Sequence, residues 1–546
     1  MKRRWWALIV VALLCACLPE KPASKAKAVA GAPPEATAAA ALGEKRRGGE
    51  GPSVFPKSPP PQHLIVLDGQ SLSTPMRIMM ASLQGVLAKT EPRLYFHPSI
   101  APWNDPAHEE EGRWLVEMEA KWGVTSETAG DAWAVFDHFR DEVDGFIVYD
   151  PELPQTVNVA TTLAGLRNAV IAHPDLIAEL EARGLTASED LRGRFADNMA
   201  LYTWAFAEVW PQANQRLLAF VDDTAHPLRD YLVTHNVFTF QLDPHHYAER
   251  PLLETVLAGT PRDIPILGWP LDELLGVMLF SRYGKFHVAS DYVSNLSAHS
   301  GLTAETLTQE HIVEFGEVEN KIYVSFAYSD GDSLAYMNRW AADWFDDPAY
   351  GEIPLGWEIS CSLVDLAPAV IGFFYDRLDE RNMVIGPVSG IGYMYPNQWG
   401  DLTEFLRLTD TYLRLADMRT LWLINDDLTL PNEIADEYAQ TLDLLGLFID
   451  YWPNADKGWY ITPGGAPVLR SRYVYLVGPE QIPEILADAA VEKEFLYPDE
   501  PTFVFIGVNA WVTSPTYIKE QIDALDERYE VIRPDAMFAA LRAAAE

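Results

Sequence analysis

Short apolar runs that are typical of buried β-strands alternate with helix-like segments along most of this chain. In the first half the strand-like runs are 63–67, 145–149 and 216–221, and the helical segments that follow them are 77–89, 160–172 and 227–234. Such alternation indicates α/β units with parallel strands. It therefore restricts the chain to an α/β architecture.

The strand-like runs after residue 311 share a further property, because each ends in polar or aromatic residues. The runs and their ends are 322–328 before Asp330 and Asp332, 420–424 before Asp426 and Asp427, 447–451 before Trp452, and 502–508 before Asn509 and Trp511. Polar groups at the carboxyl ends of parallel strands are typical of the active face of an α/β barrel. We therefore expect a (β/α) barrel-like C-terminal domain, with a doubly wound open sheet as the alternative.

Proline and glycine residues, which form turns and loops, divide the region before this domain into small α/β subdomains. The predicted domains are residues 62–130, 131–200, 201–311 and 312–546. The last of these is the barrel-like domain.

The N-terminus has the pattern of an export signal. Three basic residues at 2–4 precede an apolar stretch at 5–14 that is too short to span a bilayer. The segment ends in Leu14-Cys15-Ala16-Cys17, which resembles a bacterial lipobox and predicts lipidation at Cys17 after removal of the signal peptide, 1–17. Simple secretory cleavage is the alternative. The prediction places the protein outside the cytoplasm, lipid-anchored, and in the outer membrane if the host has one.

Residues 18–61 are rich in Ala, Pro, Gly and Lys and contain hardly an aromatic residue. This composition buries too little surface to offset the entropy of ordering, so we expect a disordered tether. Contact with the membrane is expected only through the Cys17 lipid.

The charge of the chain limits its partners. Lys and Arg number 41 against 79 Asp and Glu, and the formal net charge is −38. Nucleic acid and anionic polysaccharides are bound by clustered Lys and Arg, so both are poor partners for this chain, and neutral glycans fit better.

The distribution of histidine excludes several mechanisms from the C-terminal domain. All twelve histidines lie at or before His311. A Ser-His-Asp hydrolase, a Cys-His nucleophile or a His-ligated zinc site would need imidazole from a neighbouring domain. Carboxylates, amides and aromatic rings remain, and these are the groups that glycosidases use.

The segment Gly390-Ile391-Gly392-Tyr393-Met394-Tyr395-Pro396 follows a strand-like run at 383–386. Glycines allow the backbone to approach another surface closely, and tyrosines offer flat apolar faces with a hydroxyl at the edge. This combination suits the binding of sugar rings. The segment resembles the signature of the GxGYxYP family of putative glycoside hydrolases. That resemblance implies a glycan substrate and a role for Gly390, Gly392, Tyr393 and Tyr395 in binding it.

Asp330 and Asp332 are the first candidates for catalytic carboxylates. The resemblance extends to this element, although Ser333 stands where the family has asparagine. Two alternatives remain open: a turn in which Asp330 caps the following helix, or a Ca²⁺ or Mg²⁺ site on the two aspartates. No other metal or cofactor is expected.

Asp426, which has Asp427 beside it, and Glu358 are candidates for the second carboxylate. Asp426 and Asp427 are adjacent, and like charges close together raise one pKa, as a general acid requires. Glu358 lies in a segment, 356–360, that resembles the Gly-Trp strand of the family.

Eight tryptophans fall between Trp340 and Trp511. Most of them are expected in the core because aromatic side chains bury large areas. Trp399, Trp452 and Trp511, together with Asp427 and Asn509, are predicted to line a sugar cleft.

These observations predict an extracytoplasmic lipoprotein that hydrolyses neutral poly- or oligosaccharides with paired carboxylates. A non-catalytic glycan-binding lipoprotein and a metal-dependent carbohydrate esterase or deacetylase are the alternatives.

Overall fold

The computed structural model describes residues 53–101, 110–426, 430–450, 457–471 and 476–546, all within the compact unit Ser53–Glu546. It is an α/β structure of five mostly parallel sheets. None of the helices in these ranges has the length and apolar character needed to cross a bilayer. The predicted lipidation site Cys17 lies outside the described residues.

The first subdomain is a three-stranded parallel sheet with the order β2-β1-β3. Its strands are β1 His63–Leu67, β2 Leu94–Phe96 and β3 Thr125–Ala129, and its helices are α1 Thr74–Ala88, α2 Glu111–Trp122 and α3 Ala132–His138. Helix α1 begins with a proline in its first turn, where a missing N–H removes no helical hydrogen bond.

The second subdomain repeats this plan with the strand order β5-β4-β6. Its elements are β4 Gly145–Val148, α4 Thr156–Arg167, β5 Ala169–Ala172, α5 Ile177–Ala182, β6 Ala187–Asp190 and α6 Asn198–Glu208. The prediction of one helix over 160–172 is wrong at its end. Asn168 takes a left-handed conformation with φ 47° that ends α4, and the next four residues pair with β4 in parallel.

The third subdomain is a four-stranded parallel sheet with the order β10-β9-β7-β8. Its elements are β7 Leu218–Phe220, α7 Arg229–Thr234, β8 Phe238–Phe240, α8 Glu249–Ala258, β9 Ile264–Gly268, α9 Glu273–Arg282, β10 Lys285–Ala289 and α10 Leu296–His299. The carboxyl ends of β9 and β10 face the C-terminal domain.

The C-terminal domain contains two sheets. The first has the order β13-β12-β11-β18, with β19 beside β11, and the second has the order β14-β15-β17-β16. The strands are β11 Ile322–Tyr328, β12 Leu355–Glu358, β13 Asn382–Ile385, β14 Thr420–Leu423, β15 Gly446–Ile449, β16 Trp459–Ile461, β17 Pro467–Arg470, β18 Thr502–Val508 and β19 Tyr529–Val531. Among these strands, as far as the structure describes the domain, only the β16–β17 pair is antiparallel.

Helices pack on both sides of these sheets, because the last helix joins one hydrophobic cluster of the strands and the others join a second. The helices are α11 Leu334–Arg339, α12 Ala341–Phe345, α13 Leu363–Leu366, α14 Pro368–Tyr375, α15 Pro396–Trp399, α16 Thr403–Leu415, α17 Asn432–Thr441, α18 Gln481–Phe495, α19 Pro515–Asp523 and α20 Pro534–Ala545. Helix α16 is amphipathic and buries Phe405, Leu406 and Tyr412.

Alternate residues of the C-terminal strands enter two different hydrophobic clusters. In β18, for example, Phe503 and Phe505 join one cluster, while Val504 and Ile506 join the other. The first cluster also takes Tyr323 of β11, Trp422 of β14 and Phe448 of β15, so one face of each sheet contributes to the same core. Successive side chains of a strand point to opposite faces, so a strand that is buried on both faces places alternate residues in two clusters.

Candidate active site

A cleft of about 380 Å³ lies where the third subdomain meets the C-terminal domain. Its described lining includes four carboxylates and five aromatic side chains. The carboxylates are Glu273, Asp291, Asp330 and Asp332, and the aromatic side chains are Trp269, Tyr292, Trp340, Tyr393 and Trp511. The cleft thus joins the carboxyl ends of strands from both domains, as ligand sites of α/β folds commonly do.

Asp330 and Asp332 lie in the turn that follows β11. Asp330 has φ 63°, which is uncommon for a residue other than glycine and stores backbone strain. A Cβ on Gly331 would overlap the backbone of Glu358, so only glycine fits between the two aspartates. Ser333, not Asp330, caps α11 by accepting a hydrogen bond from the Tyr336 N–H. The alternative of Asp330 as the helix cap is therefore wrong.

The two aspartates differ in electrostatic environment. Burial raises the pKa of Asp330, while hydrogen bonds from Ser329 and Trp511 oppose that rise. The Ser329 hydroxyl lies 2.7 Å from Oδ2 of Asp330. Burial, followed by the charges of Asp330 and Glu273, raises the pKa of Asp332 well above its usual range. Asp332 is therefore the carboxyl that holds a proton more readily.

Trp511 forms an aromatic wall beside Asp330. It is 43% exposed, and its ring centroid lies 5.1 Å from that of Trp340 and 5.1 Å from that of Tyr336. Its backbone N–H donates to Oδ1 of Asn509 at 3.0 Å. Asn509 therefore orients the loop that carries Trp511, and it is not among the residues that line the cleft.

Glu273 reaches the cleft from the start of α9 in the third subdomain. The Tyr393 hydroxyl lies 3.0 Å from Oε1 of Glu273 and 3.0 Å from the hydroxyl of Tyr395. Burial raises the pKa of the Glu273 carboxyl, the Tyr393 hydrogen bond lowers it, and the charges of Asp330 and Asp272 raise it again. Glu273 as a whole residue is exposed, but its carboxyl is close enough to Asp332 to raise the pKa of that aspartate.

The GxGYxYP segment holds the two domains together. Tyr393 and His287 of β10 exchange backbone hydrogen bonds, each of 2.8 Å. A Cβ on Gly392 would lie 2.6 Å from the Phe286 ring and 2.8 Å from the His287 carbonyl. Gly390 has φ 133° and faces Thr409. Tyr393 lines the cleft, whereas Tyr395 is 3% exposed and packs behind it.

Three other predicted residues are not among those that line the cleft. Glu358 is buried at the end of β12, where its Oε1 accepts the Val388 N–H at 2.6 Å. The Asp426 carboxylate accepts hydrogen bonds from the side-chain amides of Asn397, at 2.6 Å, and Gln398, at 2.7 Å. Trp399 is 1% exposed and packs on Phe405.

Two further predicted residues, Asp427 and Trp452, lie outside the described residues. The sequence analysis did not identify the residues that the third subdomain contributes to the cleft. These are Trp269, Glu273, Asp291 and Tyr292. They follow β9 and β10, so the strand-end argument that identified Asp330 would have found them if applied to this subdomain.

The composition of the cleft limits its chemistry. Of the described residues that line it, none is His, Lys or Arg. Within the described part of the chain, no group of three or more His, Cys, Asp or Glu side chains has an arrangement that could hold a metal ion. What the cleft presents is carboxylates beside aromatic rings.

Fold and cleft together define a multidomain α/β protein with a carboxylate- and aromatic-lined site. Four family models match successive parts of the chain, and the chain belongs to the GxGYxYP family. The matches are the GxGYxYP_N first domain at 63–141, the GxGYxYP_N second domain at 143–213, the GxGYxYP third domain at 216–301 and the GxGYxYP putative glycoside hydrolase C-terminal domain at 320–542.

A solved structure has the same fold. It is the crystal structure of a putative hydrolase from Bacteroides thetaiotaomicron VPI-5482, with a TM-score of 0.78 and 22% sequence identity over 89% of this chain and 96% of that one. No curated protein matches the chain.

We expect Gly392→Ala to destabilise the junction of the two domains. The added methyl group would meet the Phe286 ring and the His287 carbonyl, and overpacking of this kind costs about 1–3 kcal/mol. Gly130→Ala is the matched control, because a Cβ there has no neighbour within 4 Å. Thermal unfolding of the two variants measures the difference, and equal melting temperatures would contradict the close approach.

We expect Asp332→Asn to raise the melting temperature at pH 7, by about 2 °C. The pKa of Asp332 is raised in the folded state, so the folded protein loses stability as pH rises from the unfolded pKa, near 4, to the folded value. The gain in the variant should therefore vanish at about pH 4. Asp401→Asn is the control of opposite sign, since hydrogen bonds from Thr403 lower the pKa of Asp401. A lower melting temperature for Asp332→Asn at pH 7 would refute this assignment.

Proposed function

We propose that the protein is a glycoside hydrolase that acts on neutral glycans with Asp332 and Asp330 as its paired carboxylates. The observation that carries the proposal is the pair of aspartates with unequal environments in one aromatic-lined cleft. Glycosidases need one carboxyl that is protonated and one that is ionised on either side of the scissile bond. The family to which the chain belongs is consistent with this chemistry.

Asp332 takes the role of general acid. Burial and the charges of Asp330 and Glu273 favour its protonated form, so it can donate a proton to the departing glycosidic oxygen. Asp330 takes the role of the ionised partner, because Ser329 and Trp511 donate hydrogen bonds that stabilise its charge. It acts as nucleophile or as the base that activates water.

The aromatic residues and the charge of the cleft support a sugar ligand without acidic groups. Trp340, Tyr393 and Trp511 offer apolar surface on which the C–H face of a sugar ring can pack. The carboxylates would repel an anionic sugar, and the described lining has no basic residue to balance them.

We also propose that the two C-terminal sheets form one distorted (β/α) barrel. An isolated parallel bridge between Gly386 and Leu421 links the end of β13 to β14, and a second bridge links Val477 to Val508 of β18. The shared inner cluster of the two sheets supports the same arrangement.

We further propose that Cys17 is lipidated and that the residues between it and Ser53 tether the folded unit outside the cytoplasm. The support is the lipobox-like Leu14-Cys15-Ala16-Cys17 and the composition of the segment that follows it. The predicted tether of 18–61 is too long at its end, because residues 53–61 belong to the folded unit, where Phe55 is fully buried in the core.

Release of reducing ends from a panel of neutral polysaccharides tests the main proposal. We expect Asp330→Asn and Asp332→Asn each to lower the rate by about 100-fold or more, because each removes a group that acts in the transition state. Asp401→Asn, on an exposed loop, is the matched control and should retain the rate. Loss with Asp426→Asn alone would move the active site to the Asp426 loop.

The same assay separates the two alternatives. Binding of a glycan without release of reducing ends by any variant would assign the protein to the glycan-binding class. Activity that a chelator removes and a divalent ion restores would indicate the metal-dependent reaction, with Asp330 and Asp332 as ligands.

The pH profile of kcat/KM tests the role of Glu273. The rate should fall at high pH as Asp332 loses its proton. Glu273→Gln removes a negative charge that raises the pKa of Asp332, so the alkaline limb should move to lower pH. Asp272→Asn is the control, because the charge of Asp272 acts on the pKa of Glu273. Asp272 also caps α9, and asparagine is an equally good cap. An unchanged alkaline limb in Glu273→Gln would refute the coupling.

A further inference from the structure

Asp291 is a carboxylate of the cleft that the proposed reaction does not use. It lies just after β10, in the third subdomain, and lines the cleft together with Trp269 and Tyr292. Asp222 is the neighbouring charge that affects its pKa, whereas Asp332 is affected by Asp330 and Glu273. Asp291 is therefore carried into the cleft by the third subdomain, whereas Asp330 and Asp332 follow β11 of the C-terminal domain.

No basic residue in the described part of the chain balances Asp291. Some aspartates of the chain pair with arginine or lysine, as Asp526 does with Arg528, but no ion pair of the described residues includes Asp291. Burial raises the pKa of Asp291 to about 7, and among the described residues the groups that oppose this rise are the backbone N–H groups of Asp291 and Tyr292. Burial of a carboxylate without a cation is costly, and a positively charged ligand would offset that cost.

The neighbours of Asp291 fit a small organic cation. Trp269 and Tyr292 present aromatic rings to the same cleft, and ammonium groups are attracted to ring faces as well as to carboxylates. A hydroxyl group would donate a hydrogen bond to Asp291 but would gain no charge interaction. A group that only accepts hydrogen bonds would gain nothing from it.

We propose that Asp291, Trp269 and Tyr292 form a subsite for a sugar that carries a protonated amine, within a glycan that is otherwise uncharged. The ammonium group would pair with the Asp291 carboxylate and lie against the aromatic rings. This inference rests on the proposed glycan-binding function of the cleft. It adds a specificity determinant that is separate from Asp330 and Asp332.

Monosaccharide probes test the subsite without any assumption about linkage. Calorimetric titration of the full chain compares the methyl glycosides of glucosamine, N-acetylglucosamine and glucose, which differ only at one position of the ring. We expect the amine probe to bind most tightly. Equal affinity for the three probes, or no binding of the amine probe, would overturn the proposal.

Asp291→Asn should weaken binding of the amine probe by about tenfold or more, since it removes a charge-assisted hydrogen bond. Affinity for the glucose probe should be unchanged. Asp222→Asn is the matched control, because it removes the same charge nearby but lowers the pKa of Asp291 and so favours its ionised form. Its affinity for the amine probe should be retained or increased. An equal loss in both variants would indicate a general charge effect and refute the subsite.

The outcome can be separated from that of the hydrolase proposal. Amine binding that depends on Asp291 without cleavage of any glycan would refute the hydrolase and leave the subsite. Cleavage of neutral glycans with no amine preference would refute the subsite and leave the hydrolase.

Discussion

The cleft depends on the antiparallel contact between the GxGYxYP segment and β10. The two hydrogen bonds between Tyr393 and His287 join the C-terminal domain to the third subdomain at the end where their strands finish. The same contact brings the Tyr393 hydroxyl to Glu273. Without it, Asp330 and Asp332 would face solvent on one side, and the burial that raises their pKa values would be lost.

The carboxylates of the cleft are held together at a cost to stability. Asp330, Asp332 and Glu273 all have raised pKa values, and each therefore opposes folding when it is ionised. The positive φ of Asp330 adds backbone strain at the same place. Costs of this kind persist at sites where function requires them, and the packed cores of both domains supply the compensating stability.

The sequence predicted well those features that depend on local order along the chain. The alternation of strands and helices identified the α/β class, and the strand-end pattern led to Asp330, Asp332 and Trp511 of the cleft. Trp399 was misplaced in the cleft because sequence spacing does not distinguish a core tryptophan from one at a rim. Glu273 and Asp291 were missed because the strand-end argument was not applied to the third subdomain. The packing that brings them to the same cleft as Asp332 is encoded by no local pattern. Substrate and linkage are not encoded locally either.

Each fixed position of the GxGYxYP segment has a structural requirement in this chain. Gly390 needs its positive φ, and Gly392 needs the close approach to β10. Tyr395 needs its hydroxyl for the hydrogen bond with Tyr393. Pro396 begins α15, where its missing N–H removes no helical hydrogen bond. Only Tyr393 also lines the cleft. The segment therefore acts on the proposed chemistry chiefly by fixing how the two domains meet, and of its residues Tyr393 alone is placed to contact a sugar.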